Sequence, residues 1–269
     1  MKKVMHTDAS NTAGSRNGQE TALVSGAGRG IGLAISQRLC EDGYYVIRVD
    51  ADQNTLADSS ALLRDQGFGT TDICLDVADE QQVLSMLDTV AEHLDTLTCL
   101  VNNAAISPRD EQGGKIPVLK LPLDTWERTL AVNLTGTFLM CRTLIPFMVA
   151  RGYGRIINIS SLGGRTALGD LTTSAYGVSK AGLIGFTRIL AREVASHGIT
   201  VNVICPGRIA TNMAAVADPA ANADYLKRTP IGRSGTPDEV ADMVAYLTGV
   251  KAGFVTGACL DINGGLWMG

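Results

Sequence analysis

Short runs of consecutive apolar residues alternate with longer stretches of three-to-four-residue periodicity from residue 20 to the end of the chain. The runs Thr21–Ser25, Tyr44–Val49, Thr71–Leu75, Leu97–Val101, Arg155–Ile159, Thr200–Cys205 and Ala258–Ile262 read as strands. Helical patterns lie between them, over about Ile31–Glu41, Leu56–Gln66, Asp79–His93, Ala175–His197 and Pro237–Leu247. The last begins on a proline, whose missing N–H costs nothing in a first turn. Thr125–Ala150 carries two helical segments, with a kink expected near Asn133. Two stretches break the rhythm. Residues 107–122 hold three prolines and a Gly-Gly pair and read as a loop. Residues 206–232, Ala-rich and Pro-containing, read as a mobile segment with short helices. Strands that are apolar throughout, rather than at alternate positions, are buried on both faces. With helices between them and right-handed crossovers, they predict an α/β fold: a doubly wound parallel sheet in a single domain over residues 20–269.

The 269 residues, 45% hydrophobic and 19% charged, suffice for one globular core. Residues 1–19 are polar and lack the apolar stretch of a signal peptide, so they read as a flexible N-terminal tail, with His6 solvated in it. No apolar run is long enough to span a bilayer. A net charge of −4 offers no electrostatic footprint for nucleic acid or an anionic membrane. The six cysteines (Cys40, Cys74, Cys99, Cys141, Cys205, Cys259) form no metal-ligand or redox pair motif. No metal site is expected, and a reduced, cytoplasmic setting follows.

The first strand runs directly into Ser25-Gly26-Ala27-Gly28-Arg29-Gly30-Ile31-Gly32, and a helix follows. Glycines there let a diphosphate approach the backbone, and the helix N-terminus presents amides to the anion. Between a first strand and a first helix this is a dinucleotide-binding signature. Asp50 closes the second strand, where a carboxylate accepts hydrogen bonds from adenosine ribose hydroxyls and repels a 2′-phosphate. That favours NAD. Arg29 and Arg48 count toward NADP, and Asp50 is also a natural turn cap. Tyr176 and Lys180 stand four apart, on one face of a helix. An ammonium beside a phenol favours the phenolate, which would make Tyr176 a general acid or base; a surface pair without consequence has the same spacing. Ser160 and Ser161 end a strand on the side where ligands bind, and are equally at home as turn hydroxyls.

Together these motifs, in this order, resemble the short-chain dehydrogenase/reductase family in its single-domain, Rossmann-type branch, over nearly all of the chain from residue 20. Ser25 stands where the family usually has Thr. Asn102-Asn103-Ala104-Ala105 is similar to its Asn-Asn-Ala-Gly, with Ala105 for the glycine. The resemblance implies that Asp76 and Val77 lie along the adenine and that Gly26, Arg29, Gly30, Ile31, Gly32, Asp50, Asn103 and Ala104 hold the dinucleotide. It places Pro206, Ile209 and Thr211 beside the nicotinamide. It assigns catalysis to Asn133, Ser161, Tyr176 and Lys180: Ser161 orients the substrate oxygen and Tyr176 transfers its proton. Lys180 binds the nicotinamide ribose and lowers the Tyr176 pKa, while Asn133 bends its helix and links Lys180 to solvent through a water. The implied activity is NAD(P)-dependent hydride transfer between a nicotinamide and a secondary alcohol or ketone. The Ser161–Tyr176 gap is slightly long for the family, implying a small insertion in 163–174 at the substrate mouth.

Three substrate readings follow. Leu183–Arg188 and the ending Asn263-Gly-Gly-Leu are similar to 3-oxoacyl carrier-protein reductases. Those reductases usually dock the acidic carrier with arginines, and the matching positions here hold Leu139 and His197. With Asp50, this favours an NAD-dependent dehydrogenase of a small polar alcohol (polyol, sugar or hydroxy acid), with Arg109, Lys115 and Arg208 as candidate contacts to a polar or anionic substrate. A non-catalytic dinucleotide sensor or scaffold is the alternative of another class. Apolar residues on several faces of 125–150 and 175–197 suggest a homotetramer. Trp267 and Met268 pack either on a neighbouring subunit or locally.

Overall fold

The computed structural model describes residues 19–166, 174–211, 213 and 219–269. The expectations for the N-terminal tail with His6, for most of the 163–174 insertion and for part of the 206–232 segment lie outside the described residues. Strands β1 (Thr21–Ser25), β2 (Tyr45–Asp50), β3 (Thr70–Cys74), β4 (Leu97–Asn102), β5 (Gly154–Ile159), β6 (Ile199–Pro206) and β7 (Cys259–Ile262) form one sheet in the order β3-β2-β1-β4-β5-β6-β7. Every pairing is parallel. Between them run α1 (Gly30–Glu41), α2 (Gln53–Asp65), α3 (Glu80–Thr89), α4 (Leu123–Leu130), α5 (Gly136–Arg151), α6 (Ser174–Val194), α7 (Pro219–Arg228) and α8 (Pro237–Thr248).

Why the strands had to be apolar throughout is visible in the core. Leu23, Leu100 and Ile156 face one hydrophobic cluster with Met86 of α3, Met140 and Leu144 of α5 and Leu190 of α6. Their chain neighbours Val24, Val101 and Ile157 face a second cluster with Ile35 and Leu39 of α1 and Val240 and Val244 of α8. The period of two thus buries both faces. Among the described residues one helical run, Leu123–Arg151, is long and apolar enough to cross a membrane; 56% of its apolar window is buried, as in a core helix.

The expected element ends shift where a cap was overlooked. Helix α2 begins at Gln53 rather than Leu56, because the Asp52 carboxylate accepts from the amides of Asn54 and Thr55. Asp79 caps α3 in the same way through Gln81 and Gln82. That helix ends at Thr89 and continues as a tighter turn over Ala91–Thr96, short of the single helix to His93. The 107–122 loop contains one such turn, Val118–Lys120.

Of the four buried cysteine thiols, Cys40 is pushed up to about 11, Cys141 to about 12 and Cys99 higher still, each chiefly because burial penalises the thiolate. A thiol whose folded pKa lies above its unfolded value of 9.0 stabilises the fold fully below that value and loses the contribution as pH rises. Lys180 acts oppositely, since burial lowers it to about 8 and its contribution grows with pH from there. Three thiols outweigh one lysine. Tm is expected to fall between about pH 9 and pH 11 in a thermal melt; an unchanged or rising Tm over that range would show that this balance is wrong.

Candidate active site

The order of strands reverses at β1, whose neighbours are β2 on one side and β4 on the other, so the crevice beyond their carboxyl ends is the natural ligand site. Two adjoining cavities occupy it. One, of about 640 Å³, is lined by Gly26, Arg29, Gly30, Ile31, Asp50, Asp76, Val77, Asn103, Ala104 and Thr211. The other, of about 160 Å³, is lined by Ser161, Tyr176, Lys180, Pro206, Arg208, Ile209 and Thr211. Ile31, Asn103, Ala105, Ser107, Thr211 and Met213 belong to both, so they form one cleft.

The glycine turn is built for close approach. Gly26 has φ +64°, and a Cβ there would sit 2.7 Å from the Ala104 Cα. At Gly32 a Cβ would lie 1.9 Å from the Gly26 carbonyl oxygen. Gly32 lines neither cavity; it lets α1 pack against the turn that does. The amide of Gly28 donates to Asp50 Oδ2 at 2.9 Å, and the amide of Asp52 donates to Asp50 Oδ1 at 3.1 Å. Asp50 therefore caps the turn while facing the larger cavity. The cradle fits a dinucleotide diphosphate in shape, and its first helix begins at Gly30 with amides toward the cleft. Ser25 keeps the function of a threonine hydroxyl, since its Oγ accepts from the amides of Asn103 (3.1 Å) and Ala104 (3.2 Å). Asn103 Nδ2 donates to the carbonyls of Ser25 and Gly26, which ties β4 to the turn.

Arg48 corrects the sequence-based expectation. It lies in the middle of β2 with no exposed surface, its guanidinium paired with Asp72 of β3 at 3.2 Å and donating to the Ala27 carbonyl and Ser59. It does not line the cleft. Lys115 is exposed and lines neither cavity, so it parts company with Arg109 and Arg208, which line the smaller one. Leu139 is buried in the core and presents nothing to a docking partner, whereas His197 is exposed.

The four residues singled out for catalysis come from three elements. Ser161 follows β5; its Oγ accepts from the Gly163 amide at 3.1 Å, and it lines the smaller cavity together with Tyr176. Ser160 instead donates to the Lys180 carbonyl at 2.7 Å, which turns its hydroxyl into α6. Lys180 Nζ donates to the Ile159 carbonyl at 2.7 Å and lies 5.7 Å from the centre of the Tyr176 ring. Burial pushes the Tyr176 phenol up from its ordinary value, and the Ser161 hydroxyl and the Arg109 guanidinium offset this in part. Arg109 is thus a second cation beside this phenol, one the sequence reading did not anticipate.

Asn133 sits in a widened turn with π-type hydrogen bonding, Ala131–Thr135, between α4 and α5. The expected kink is this turn. Asn133 Oδ1 accepts from the Ile106 amide at 2.8 Å; Nδ2 donates to the Ile106 carbonyl and to Ser179 Oγ, both at 3.0 Å. The side chain pins the loop after β4 to α6 at Ser179, the residue before Lys180.

Several neighbours escaped the sequence reading. Gly164 would place a Cβ 2.6 Å from the Lys180 carbonyl carbon, so only glycine lets the loop after β5 press on α6. Arg128 pairs with Asp76 at 2.7 Å across the larger cavity. Cys205 and Cys259, 54 residues apart on adjacent strands, bring their sulfurs to 3.4 Å as free thiols. Their hydrogen bond, above all, holds the Cys259 thiol down at about 7 and raises that of Cys205. Trp267 packs locally, beneath the Arg165 guanidinium at 4.2 Å, while Met268 stays exposed.

A doubly wound parallel sheet, a glycine cradle at its switch point and a tyrosine–serine pair at the far end of the same cleft define an oxidoreductase dependent on a nicotinamide dinucleotide. A family model described as Enoyl-(Acyl carrier protein) reductase matches residues 26–267. The chain belongs to the short-chain dehydrogenase/reductase family, whose members act on CH–OH or keto groups with NAD(P). The 3-oxoacyl-[acyl-carrier-protein] reductase FabG of Haemophilus influenzae is 36% identical over 247 residues, which span 92% of this chain and 98% of that protein. A solved 3-oxoacyl-[acyl-carrier protein] reductase from Brucella melitensis has 39% identity and a TM-score of 0.88, covering 93% of this chain and 92% of its own. Another from the same organism, with bound NAD, has 37% identity and a TM-score of 0.86, covering 94% and 93%.

Proposed function

We propose that the chain interconverts a 3-hydroxyacyl-type secondary alcohol and the corresponding 3-oxoacyl ketone, with NAD(H) as its preferred dinucleotide. The carrying observation is that Ser161 and Tyr176 line one cavity that is continuous with the glycine cradle. The substrate class draws on relatives named 3-oxoacyl-[acyl-carrier-protein] reductase at 36–39% identity.

When bound, the nicotinamide supplies the hydride for ketone reduction or accepts it in alcohol oxidation. Tyr176 gives its phenolic proton to the forming alkoxide in reduction, and takes the hydroxyl proton in oxidation. Ser161 donates to the same oxygen and holds it against Tyr176. Lys180, Pro206, Ile209 and Thr211 position the nicotinamide half; Gly26, Arg29, Gly30, Ile31, Asn103 and Ala104 position the diphosphate half. Asp76 and Val77 flank the adenine. Gly32 and Asn133 hold the frame.

The preference for NAD(H) rests on Asp50 and Asp52 lining the larger cavity, with Arg48 withdrawn into the sheet. Asp50→Asn keeps an oxygen to accept from Gly28 and removes the charge. It is expected to raise the NADP/NAD ratio of kcat/KM about tenfold, equivalent to ~1.4 kcal/mol. An unchanged ratio would show that Asp50 does not set the preference.

A second reading, a small polar alcohol such as a polyol, sugar or hydroxy acid, is favoured by the modest size of the substrate cavity, about 160 Å³. Rates with NADH on a short 3-oxoacyl thioester, and with NAD on a polyol panel, separate the two. Thioester reduction supports the first; polyol oxidation alone would replace it. Exposed Phe138 of α5 and Val178 and Ile189 of α6 favour assembly through these helices, and we expect a cytoplasmic homotetramer.

A further inference from the structure

We propose that Cys205 and Cys259 form a site of oxidation, at which a hydroperoxide converts the two thiols into an intrachain disulfide that distorts the nicotinamide side of the cleft. The pair is made by the sheet. Where β6 and β7 run in parallel, Val203 lies beside Cys259 and Cys205 beside Asp261. Residues two apart on a strand share a face, so the two cysteines are diagonal neighbours, packed with Val203 and with Ile184 of α6. Their sulfurs stand 3.4 Å apart as free thiols. Disulfide sulfurs are about 2.0 Å apart, so an approach of roughly 1.4 Å turns the contact into the bond. β7 can supply it, being a strand of four residues at the edge of the sheet.

The two thiols are unequal in the way this chemistry needs. Cys205 is fully buried and Cys259 is partly exposed, so an oxidant from solution meets Cys259 first. The Cys205 hydrogen bond above all, with the Arg165 and Arg188 guanidiniums, holds the Cys259 thiol below its ordinary value against the opposing effect of burial, and the thiolate is the nucleophile. Burial keeps Cys40, Cys99 and Cys141 protonated and inert. The Cys259 thiolate attacks one oxygen of the hydroperoxide. An S–O bond forms and the O–O bond breaks, and the departing oxygen takes up a proton and leaves as water or an alcohol. Cys259 is now a sulfenic acid, oxidised by two electrons that the peroxide has gained. The Cys205 thiol then attacks the Cys259 sulfur. The S–S bond forms, the S–O bond breaks, and the hydroxyl leaves as water with the Cys205 proton. A dithiol in solution reverses the bond by exchange.

The bond reaches the cleft because β7 is tied to two of its walls. Asp261, two residues beyond Cys259, pairs at 3.2 Å with Arg165, which closes the short turn that Ser161 opens. The Ile262 carbonyl accepts from the Gly207 amide at 2.7 Å. Cys205 itself directly precedes Pro206, and Pro206, Gly207 and Ile209 line the substrate cavity. Ile184, packed on the dithiol, stands one turn of α6 beyond Lys180. Drawing Cys259 onto Cys205 therefore pulls at once on the loop after β5 and on the loop after β6.

The test exposes the full-length protein to hydrogen peroxide and then removes it. The product is expected to be lighter by about 2 Da, the hydrogens of two thiols, and to yield on digestion a peptide joining Cys205 to Cys259. Its turnover of a short 3-oxoacyl thioester with NADH should fall roughly tenfold to hundredfold, as when reacting groups are displaced by about an ångström, and NADH affinity should fall with it. Dithiothreitol should restore both. Cys259→Ser and Cys259→Ala are expected to keep the activity of the reduced protein and to lose the response to peroxide. Cys205→Ser should stop at the Cys259 sulfenic acid, which a 1,3-dione probe captures. Mass and NADH titration need no substrate, so they decide the switch even if the reduced protein turns over no thioester, a result that would sink the substrate reading alone. The absence of the joined peptide overturns the proposal. So does a bridged protein with unchanged NADH affinity and turnover, or an equal response to peroxide in the two Cys259 variants.

Discussion

Tyr176→Phe is expected to lower kcat by roughly 10²–10⁴-fold, the range for removing a positioned general acid or base, with the dinucleotide still bound. The change deletes one oxygen and keeps the ring, so the packing of α6 on the cleft survives. What disappears is the phenolic proton that α6 presents to the cavity beside Ser161. Because burial pushes the phenol up, Tyr176 holds its proton at neutral pH and is ready as an acid for ketone reduction. In alcohol oxidation it must first lose that proton, so wild-type oxidation should quicken with rising pH while reduction does not. Steady-state rates in both directions, with fluorescence titration of NADH, check both halves. Near-wild-type turnover by the phenylalanine variant would remove Tyr176 from the chemistry, and a parallel loss of NADH affinity would make its role structural.

Gly32→Ala should be the most damaging single-methyl change in the glycine turn. By helix propensity alone, alanine in α1 would gain about 1 kcal/mol over glycine. The steric cost overrides that gain, because the added Cβ would sit 1.9 Å from the Gly26 carbonyl oxygen and 2.7 Å from Asn103 Nδ2. Neither is the free end of a flexible side chain: one is backbone, and the other is fixed by two hydrogen bonds. Overpacking of this kind costs about 1–3 kcal/mol or more, or roughly 5–10 °C in Tm for a chain of this size. Since the displaced atoms form the cradle, NADH affinity should fall as well. Gly185→Ala on α6, where a Cβ meets nothing within 4 Å, is the control and should be neutral or slightly stabilising. Equal melting of the two variants would refute the steric argument.

The central strands were legible in the sequence because the sheet buries both their faces, whereas the edge strands β3 and β7 are only partly buried. Helix beginnings were less so. Leu56 opens the apolar face of α2, yet Asp52 starts the helix through its carboxylate, a signal carried by one side chain rather than by periodicity. At the site, motifs contiguous in sequence were readable: the glycine turn, Asp50, Tyr176 with Lys180. Contacts made by folding were not. Arg48 shares a face of β2 with Asp50 and looks equally placed for the cofactor, but it lies in the middle of the strand rather than at its carboxyl end and pairs with Asp72 of β3. Gly164 was one glycine among thirty until α6 came within 2.6 Å of its missing Cβ. Cys205 and Cys259 meet only because β6 and β7 pair. Arg109 near Tyr176 was missed for the same reason, since it arrives by the fold while Lys180 stands four residues away in sequence.

The widened turn at Ala131–Thr135 amounts to one residue too many for a plain helix. Deleting a residue there would let α4 and α5 join as a single regular rod, with better backbone geometry. Heat resistance gained in that way would be bought with function. Asn133 would lose its reach to Ile106 and Ser179, and the loop after β4 would come away from α6. The surplus residue is a small standing defect in the longest rod of the molecule, kept in the one place where regularity and the cleft make opposite demands.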